Sequence, residues 1–380
     1  MNGGRLRELA AVFLKLGTIG FGGPAAHIAL MEEEVVRRRG WLTRQAFLDL
    51  VGATNLIPGP NSTELAIHLG RMRAGVPGLL VAGLAFILPA FVIVCGVAWA
   101  YVRAGTLPAV MTVFRSVAPV MLAIVVQALV KLARTAIRNA WLAAAAVVAF
   151  AAALARPLDE VAILVGVGLG AGLIGWARSG KGSVNGVATL AVPGLVSQAA
   201  PVLAKTAVSS GSLFLAFLKP GALLFGSGYV LLAFLRADLV ERLGWLTNAQ
   251  LLDAVVVGQV TPGPVFTTAT FVGYILGGLT GAAIATAAIF LPAFVFVWIS
   301  APLIPLLRRS RLAAAMLDGV NAASLALMAA VTVTLAREAL VSVLALGVAV
   351  ASLVLLLRFR ASPTFLIAAV GLIAWLGGRP

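Results

Sequence analysis

The sequence predicts an all-α, polytopic integral membrane protein built from two inverted homologous repeats whose first helices are broken by glycine and proline. Composition is the first reason, because the 380-residue chain is 61% hydrophobic and only 11% charged. A soluble domain would carry about 25% charged residues. Apolar runs of the roughly 20 residues that a bilayer span needs recur from end to end. An internal repeat and the charges of the loops are the other two reasons.

The repeat relates the two parts of the chain in a constant register. Residues 13–23, FLKLGTIGFGG, match residues 217–227, FLKPGALLFGS, at an offset of 204 positions. NLIPGP at 55–60 matches QVTPGP at 259–264 at the same offset. Such self-similarity indicates two copies of one structural unit. The expected organisation is an N-terminal repeat at 1–180, a connecting segment at 181–206 and a C-terminal repeat at 207–380.

Each repeat is expected to contain six apolar segments, of which the first two are interrupted. In the first half the interrupted segments lie around 9–30 and 47–70, with a polar interfacial segment between them. Four uninterrupted spans follow near 76–102, 107–132, 139–155 and 158–177. The segments of the second half are 207–235, 248–276, 278–307, 312–336, 339–357 and 362–377. Hydropathy leaves open whether the interrupted segments span or re-enter, so 12 or 13 crossings are expected.

The loop charges predict that the halves have opposite orientations. Arg71 and Arg73 follow the second segment of the first half, whereas the matching loop of the second half, LGGLTG, carries no charge. After the third span the bias reverses, with Arg103 alone in the first half and three arginines at 308–311 in the second. By the positive-inside rule the halves are then inverted. Inversion needs one crossing between them, which residues 184–204 are apolar enough to provide.

The interruptions predict a binding site for a small anion. Lipid cannot satisfy freed backbone groups, so broken helices survive at membrane depth only where they line a cavity or lie buried in protein. Matched broken helices in inverted repeats point to the substrate site of a transporter. Pro24 can begin a helix after Gly23, and Pro60 precedes Asn61, an N-cap residue with Glu64 three positions on. Helix starts bind oxyanions. The alternative is that glycine and proline only kink tightly packed helices.

The predicted substrate-binding residues lie in these breaks or beside them. They are Lys15, Gly20, Gly22, Gly23, Pro24, Asn55, Pro58, Gly59, Pro60, Asn61, Ser62, Lys219, Gly226, Gly228, Gln259, Pro262, Gly263, Pro264 and Thr267. Lys15 and Lys219 match at the offset of 204 and are predicted either to face the anion together or to extend to the interface.

Two ionisable residues on one helix face are candidates for proton coupling. Glu64 and His68 are four positions apart, and a buried glutamate can titrate near neutrality. The alternative for Glu64 is helix capping alone. His68 and His27 are interpreted as packed or interfacial residues rather than essential ones.

Several function classes are excluded by the same residues. The net charge of +15 lies in short loops and not on one face, so no nucleic-acid partner is expected. The single cysteine, Cys95, allows no disulfide framework and no zinc site. No HExxH or GxSxG motif is present, and the protein is expected to be no enzyme and to hold no cofactor and no metal.

The segments GFGGPAAHIALMEEEVVRRRGWLT and LIPGPNSTELAIHLG resemble those of the chromate ion transporter (CHR) family, long-chain two-domain type. The resemblance extends over essentially the whole chain, although the second half departs from the pattern at FGSG, residues 225–228. It implies export of chromate from the cytoplasm across the inner (plasma) membrane, with sulfate as a competitor. It also implies antiport coupled to protons or to the membrane potential, by alternating access. The alternative function is a transporter or channel for another small anion, such as sulfate. Besides the anion, the expected partners are the lipid bilayer and, as one possibility for assembly, a second copy of the chain in a homodimer.

Overall fold

The computed structural model describes residues 2–21, 23–54, 57–104, 108–155, 160–178, 208–224, 230–300 and 311–377. Within these ranges all regular secondary structure is helical, which confirms the all-α prediction. The first half contains α1 (Asn2–Ile19), α2 (Pro24–Met31), a π-helical segment (Glu32–Arg38), α3 (Arg44–Thr54), α4 (Asn61–Ala104), α5 (Pro108–Ala136), α6 (Ala140–Ala155) and α7 (Glu160–Arg178).

The second half repeats this order. It contains α8 (Ser210–Leu223), α9 (Leu231–Leu235), a π-helical segment (Arg236–Arg242), α10 (Asn248–Val260), a 3₁₀ turn (Val265–Thr267), α11 (Thr268–Ser300), α12 (Arg311–Ala339), α13 (Val343–Arg358) and α14 (Pro363–Gly377). In the described part of the chain, four helices are long and apolar enough to cross a membrane: Asn61–Ala104, Thr112–Ala136, Val265–Ser300 and Ala314–Ala339. Two shorter apolar helices follow in each half, so the protein is polytopic.

Helices α4 and α11 each contain a sharp reversal. At Gly75 and Gly278 the backbone has φ of 64° and 61°, a left-handed conformation that glycine adopts without steric cost. Across the first reversal the two helical parts pack backbone to backbone, since a Cβ on Gly70 would lie 2.2 Å from the carbonyl oxygen of Gly78. The short helical part before Gly75 therefore folds back against the long part that crosses the membrane.

The two interrupted segments of the first half re-enter. Glu8, early in α1, forms ion pairs with Arg39 at 2.9 Å and with Arg73 at 3.0 Å. Arg39 follows the first interrupted segment and Arg73 ends the second, so both segments return to the level at which α1 began. We call this level the first end of the molecule. The apolar helices α4 to α7 follow, of which α4 and α5 are long enough to cross a membrane. The path of the two interrupted segments, which hydropathy left open, is therefore re-entry.

The long crossing parts of α4 and α11 pack antiparallel. Near the first end, Arg71 donates to the carbonyl oxygens of Val297, at 3.0 Å, and Trp298, at the end of α11. Near the opposite, second end, the hydroxyl of Tyr101 donates to Asp253 of α10 at 2.8 Å. The re-entrant helix α10 of the second half thus lies at the end where α4 finishes. Two inverted copies would have this arrangement.

The outer helices exchange contacts between the halves. Helix α5 packs against α12, α13 and α14, and α12 packs in turn against α6 and α7. Helices α5 and α12 are the matching helices of the two halves. Each of them therefore packs against the last two helices of the other half. Helix α10 of the second half packs against α5 and α14, whereas α1 to α3 of the first half pack against α4. At the tips, Gly20, Leu224 and Gly263 are buried, and Ile19 and Phe21 beside Gly20 are exposed.

Candidate functional site

The tips of the re-entrant segments are joined by two backbone hydrogen bonds between the halves. Gly59 N donates to the carbonyl oxygen of Leu224 at 2.7 Å, and Gly263 N donates to the carbonyl oxygen of Gly20 at 2.8 Å. The two donors, Gly59 and Gly263, are matched positions of the repeat, and so are the two acceptors, Gly20 and Leu224, at the same offset of 204. We call this pair of bonds the clasp. It brings the Pro-Gly-Pro turn of each half against the first break of the other half.

The Pro-Gly-Pro turns present one N–H donor each. Gly59 and Gly263 have φ of 140° and 96°, outside the range that L side chains readily adopt. Each glycine lies between two prolines, Pro58 and Pro60 or Pro262 and Pro264, which have no N–H. There is also no room for a side chain, since a Cβ on Gly263 would lie 2.7 Å from Cβ of Ala90. The glycine N–H is therefore the only backbone donor of each turn.

Two glycines outside the predicted set support the breaks. A Cβ on Gly17 would lie 2.5 Å from the carbonyl oxygen of Phe86, and one on Gly221 would lie 2.4 Å from that of Ile289. Helices α1 and α8 therefore rest directly on the backbones of α4 and α11. These glycines could have been found from the sequence, because Gly17 and Gly221 occupy matched positions of the repeat.

His27 lies in the first turn of α2, directly after the first break. Its Nε2 is 2.9 Å from the carbonyl oxygen of Gly20, and its Nδ1 is 3.1 Å from Oγ of Ser62. A carbonyl only accepts, so Nε2 carries the proton, and in the neutral ring Nδ1 accepts from the Ser62 hydroxyl. The ring is 1% exposed and lies edge-on to Phe86, with 5.4 Å between centroids. The packed position agrees with the sequence interpretation, but the two hydrogen bonds were not foreseen.

Glu64 is fully buried beside the clasp. A Cβ on Gly59 would lie 2.4 Å from Oε1 of Glu64, so the carboxylate lies against the Pro-Gly-Pro backbone. Neither carboxylate oxygen accepts a hydrogen bond from any residue that the structure describes. The proposed capping box is wrong, because Thr63 N and Glu64 N donate to the carbonyl of Pro60 and helix α4 begins with Asn61.

His68 lies one helical turn after Glu64. It is 2% exposed, and its Nε2 has no hydrogen bond from the described part of the chain. Both members of the predicted proton-coupling pair are therefore buried on the short re-entrant part of α4.

The two matched lysines have carboxylate partners. Nζ of Lys15 lies 2.9 Å from Oε2 of Glu34, and Nζ of Lys219 lies 3.1 Å from Oδ1 of Asp238. Glu34 and Asp238 are themselves matched at the offset of 204 and lie in the two π-helical segments. Of the two alternatives for the lysines, contact with an anion or extension to the interface, neither is tested by these contacts; each lysine forms an equivalent ion pair within its own half.

The remaining predicted residues are mostly satisfied locally. Pro24 begins α2 after Gly23, and the hydroxyl of Thr267 donates to the carbonyl of Pro264 at 2.8 Å. Gln259 lines a cavity with Thr268 and Val125 that has room for about one water molecule. That space is too small for a tetrahedral oxyanion. Four predicted residues, Gly22, Asn55, Gly226 and Gly228, lie outside the described residues.

Helices that break inside the membrane and meet at its centre, in matched positions of two halves, are typical of membrane transporters. The sequence comparisons agree with this class. The chromate transporter family model matches residues 7–176 and again residues 211–375. The chain belongs to the chromate transporter family.

Curated relatives cover almost the whole chain. It is similar to the chromate transport protein of Cupriavidus metallidurans, with 33% identity over 386 residues, 97% of this chain and 93% of the relative. The chromate transport protein of Pseudomonas aeruginosa is 32% identical over 385 residues, 97% of this chain and 92% of the relative. A probable chromate transport protein of Synechococcus elongatus is 32% identical over 336 residues, 88% of this chain and 86% of the relative. No solved structure matches the chain.

Proposed function

We propose that the protein exports chromate from the cytoplasm across the inner membrane, by antiport coupled to protons or to the membrane potential. The substrate is taken from the family and from the names of the relatives. The observation that carries the proposal is the clasp: both Pro-Gly-Pro turns meet the first breaks of the opposite halves at one site, beside the buried Glu64. The anion binds where these tips meet.

A binding site made of backbone groups suits a strongly hydrated dianion. Moving an ion out of water has an idealised cost of order 20 kcal/mol in a low dielectric, which has to be offset by preorganised donors. Glycine N–H groups and helix starts supply such donors without adding a permanent positive charge. The lysines are left out of the site, because each is paired with a carboxylate.

Alternating access follows if the two halves are inverted copies that move against each other. Separate contacts between the halves close the two ends: Arg71 on the α11 carbonyls at the first end, and Tyr101 on Asp253 at the second. In each half of the cycle one of these contacts opens while the other stays closed.

Glu64 is the residue proposed to carry the coupled proton. Burial without a hydrogen bond disfavours the ionised carboxylate, so a change in the surroundings of Glu64 would change its proton occupancy. An anion bound at the clasp would lie next to this group, and like charges at short distance repel. Anion binding at the clasp therefore favours the protonated form of Glu64, which links the two occupancies. Whether proton and anion move in opposite directions is read from the response of flux to an imposed pH gradient.

The test is radiolabelled chromate flux in everted membrane vesicles, where export appears as uptake. We expect saturable uptake that depends on the protein, responds to an imposed pH gradient or membrane potential, and is reduced by sulfate. Vesicles without the protein are the control. Faster movement of labelled sulfate than of chromate would favour the other-anion alternative, and absence of protein-dependent flux of either anion would refute the proposal.

A further inference from the structure

One backbone oxygen at the clasp accepts from two donors that belong to different elements. The carbonyl oxygen of Gly20 lies 2.8 Å from Gly263 N of the second half and 2.9 Å from Nε2 of His27. Two N–H groups that converge on one partially negative oxygen are the arrangement that proteins use to hold an oxyanion.

We propose that the Gly20 carbonyl oxygen occupies the place of a substrate oxygen, and that a tetrahedral oxyanion replaces it at His27 Nε2–H and Gly263 N–H. This inference rests on the proposed function and names the donors of its site. His27 is thereby an anion-binding residue.

The carbonyl can leave while the donors stay in place. Gly20 lies in the break between the end of α1 at Ile19 and the start of α2 at Pro24, so its peptide unit is outside both helices. Glycine also has the widest range of backbone conformations, so steric strain does not oppose a reorientation of this unit.

His27, in contrast, is held from its other side. Its Nδ1 accepts from the hydroxyl of Ser62 at 3.1 Å, and its ring packs edge-on against Phe86. The Nε2–H group therefore stays aimed at the same point when the carbonyl moves away. A charged oxyanion is also the better acceptor, since hydrogen bonds to ionised groups are stronger than those to neutral carbonyls.

The second half lacks this second donor. The carbonyl of Leu224 accepts from Gly59 N, but the position that matches His27 is Leu231 and the position that matches Ser62 is Phe266. Among the described residues, a histidine donor is therefore present only at the bond between Gly263 and Gly20, and not at the bond between Gly59 and Leu224. The inference predicts one tight anion site, on the side of Gly20, and not two equivalent ones.

Binding of radiolabelled chromate to the purified full-length protein tests the donor. In His27→Gln the side-chain amide keeps an N–H near the position of Nε2, and we expect an affinity close to that of the wild type. His27→Leu removes the donor and should weaken binding roughly 10-fold or more, the effect expected for one bond to a charged group. Equal affinities in both variants and the wild type would overturn the inference.

A second measurement leaves His27 intact. The chain has two histidines, so a protein labelled with ¹⁵N-histidine has two sets of imidazole signals, one per ring, and the His68→Gln variant identifies the set of His27. Saturating chromate, and separately sulfate, should shift the His27 Nε2–H signal. Bound anion with an unmoved His27 signal would contradict the inference while leaving the proposed function in place. A wild type that neither binds nor transports either anion would remove the proposed function, and the inference with it.

Discussion

The N–H of Gly59 donates to the carbonyl of Leu224 at 2.7 Å, and the matched residues Gly263 and Gly20 repeat this bond at 2.8 Å. Each half therefore supplies one donor and one acceptor at the same place. Because the groups belong to the backbone, separating the halves there leaves two donors and two acceptors without partners in a region that excludes water. Each such orphan costs several kcal/mol in an apolar environment. An anion that accepts from the two N–H groups offsets part of this cost and therefore favours movement of the halves.

Gly59→Ala tests whether the clasp geometry is needed. The new Cβ would lie 2.4 Å from Oε1 of Glu64, and the backbone would keep φ of 140°. Left-handed backbone alone costs an L residue roughly 1–2 kcal/mol. We expect chromate flux in vesicles to be lost while the protein still inserts in the membrane, as judged by its amount there.

The matched control is Gly96→Ala in the crossing part of α4. A Cβ at Gly96 meets no atom within 4 Å, and its φ is outside the left-handed range. Alanine is also the better helix former, so flux and thermal stability should be retained. If Gly59→Ala transported as well as Gly96→Ala, the clasp could not be part of the transport cycle.

Glu64→Gln tests proton coupling. The amide has nearly the shape of the carboxyl group but does not ionise, so we expect chromate binding to persist and the response of flux to an imposed pH gradient to disappear. The measurement is initial flux at a series of gradients. Glu33→Gln is the control, since Glu33 is an exposed partner of Arg37 and Arg38 and its loss should leave the gradient response intact. An unchanged gradient response in Glu64→Gln would assign coupling to another group.

Tyr101→Phe tests the contact between the halves at the second end. The variant loses the 2.8 Å hydrogen bond to Asp253 and leaves that carboxylate half buried. The loss should lower the free energy of unfolding by about 1–3 kcal/mol, the cost of leaving a buried polar group unsatisfied, and should be visible as a lower melting temperature. Tyr274→Phe is the control, because no described residue hydrogen-bonds to the Tyr274 hydroxyl. Equal melting temperatures in the two variants would show that this contact does not hold the two halves together at the second end.

The sequence predicted the class of the fold and the location of the breaks but not how the interrupted segments run. Their apolar stretches, such as residues 9–30, are as long as a span, so hydropathy cannot distinguish crossing from re-entry. The distinction lies in ion pairs between distant residues, such as Glu8 with Arg73, that no local pattern encodes. Only the three-dimensional structure shows that the chain returns to the first end.

The contacts of His27 and of the lysines could not be read from the sequence for a related reason. His27 is 7 residues from Gly20 and 35 residues from Ser62, and Ser62 lies in the other re-entrant segment. Lys15 and Glu34 are 19 residues apart and meet only because the first segment folds back. The repeat did contain a usable signal, because each member of this ion pair has a matched residue of the same charge in the second half.

Lys15→Gln tests the structural assignment of the lysines. The Lys15 side chain is 47% exposed, so its ion pair with Glu34 is screened by water and should contribute less than about 1 kcal/mol to stability. Because Lys15 is placed at this ion pair and not at the clasp, we expect the chromate affinity of Lys15→Gln to match that of the wild type. A double-mutant cycle with Glu34→Gln, read out by thermal unfolding, measures the coupling between the two side chains. A large loss of chromate affinity in Lys15→Gln, with stability unchanged, would instead return this lysine to the binding site.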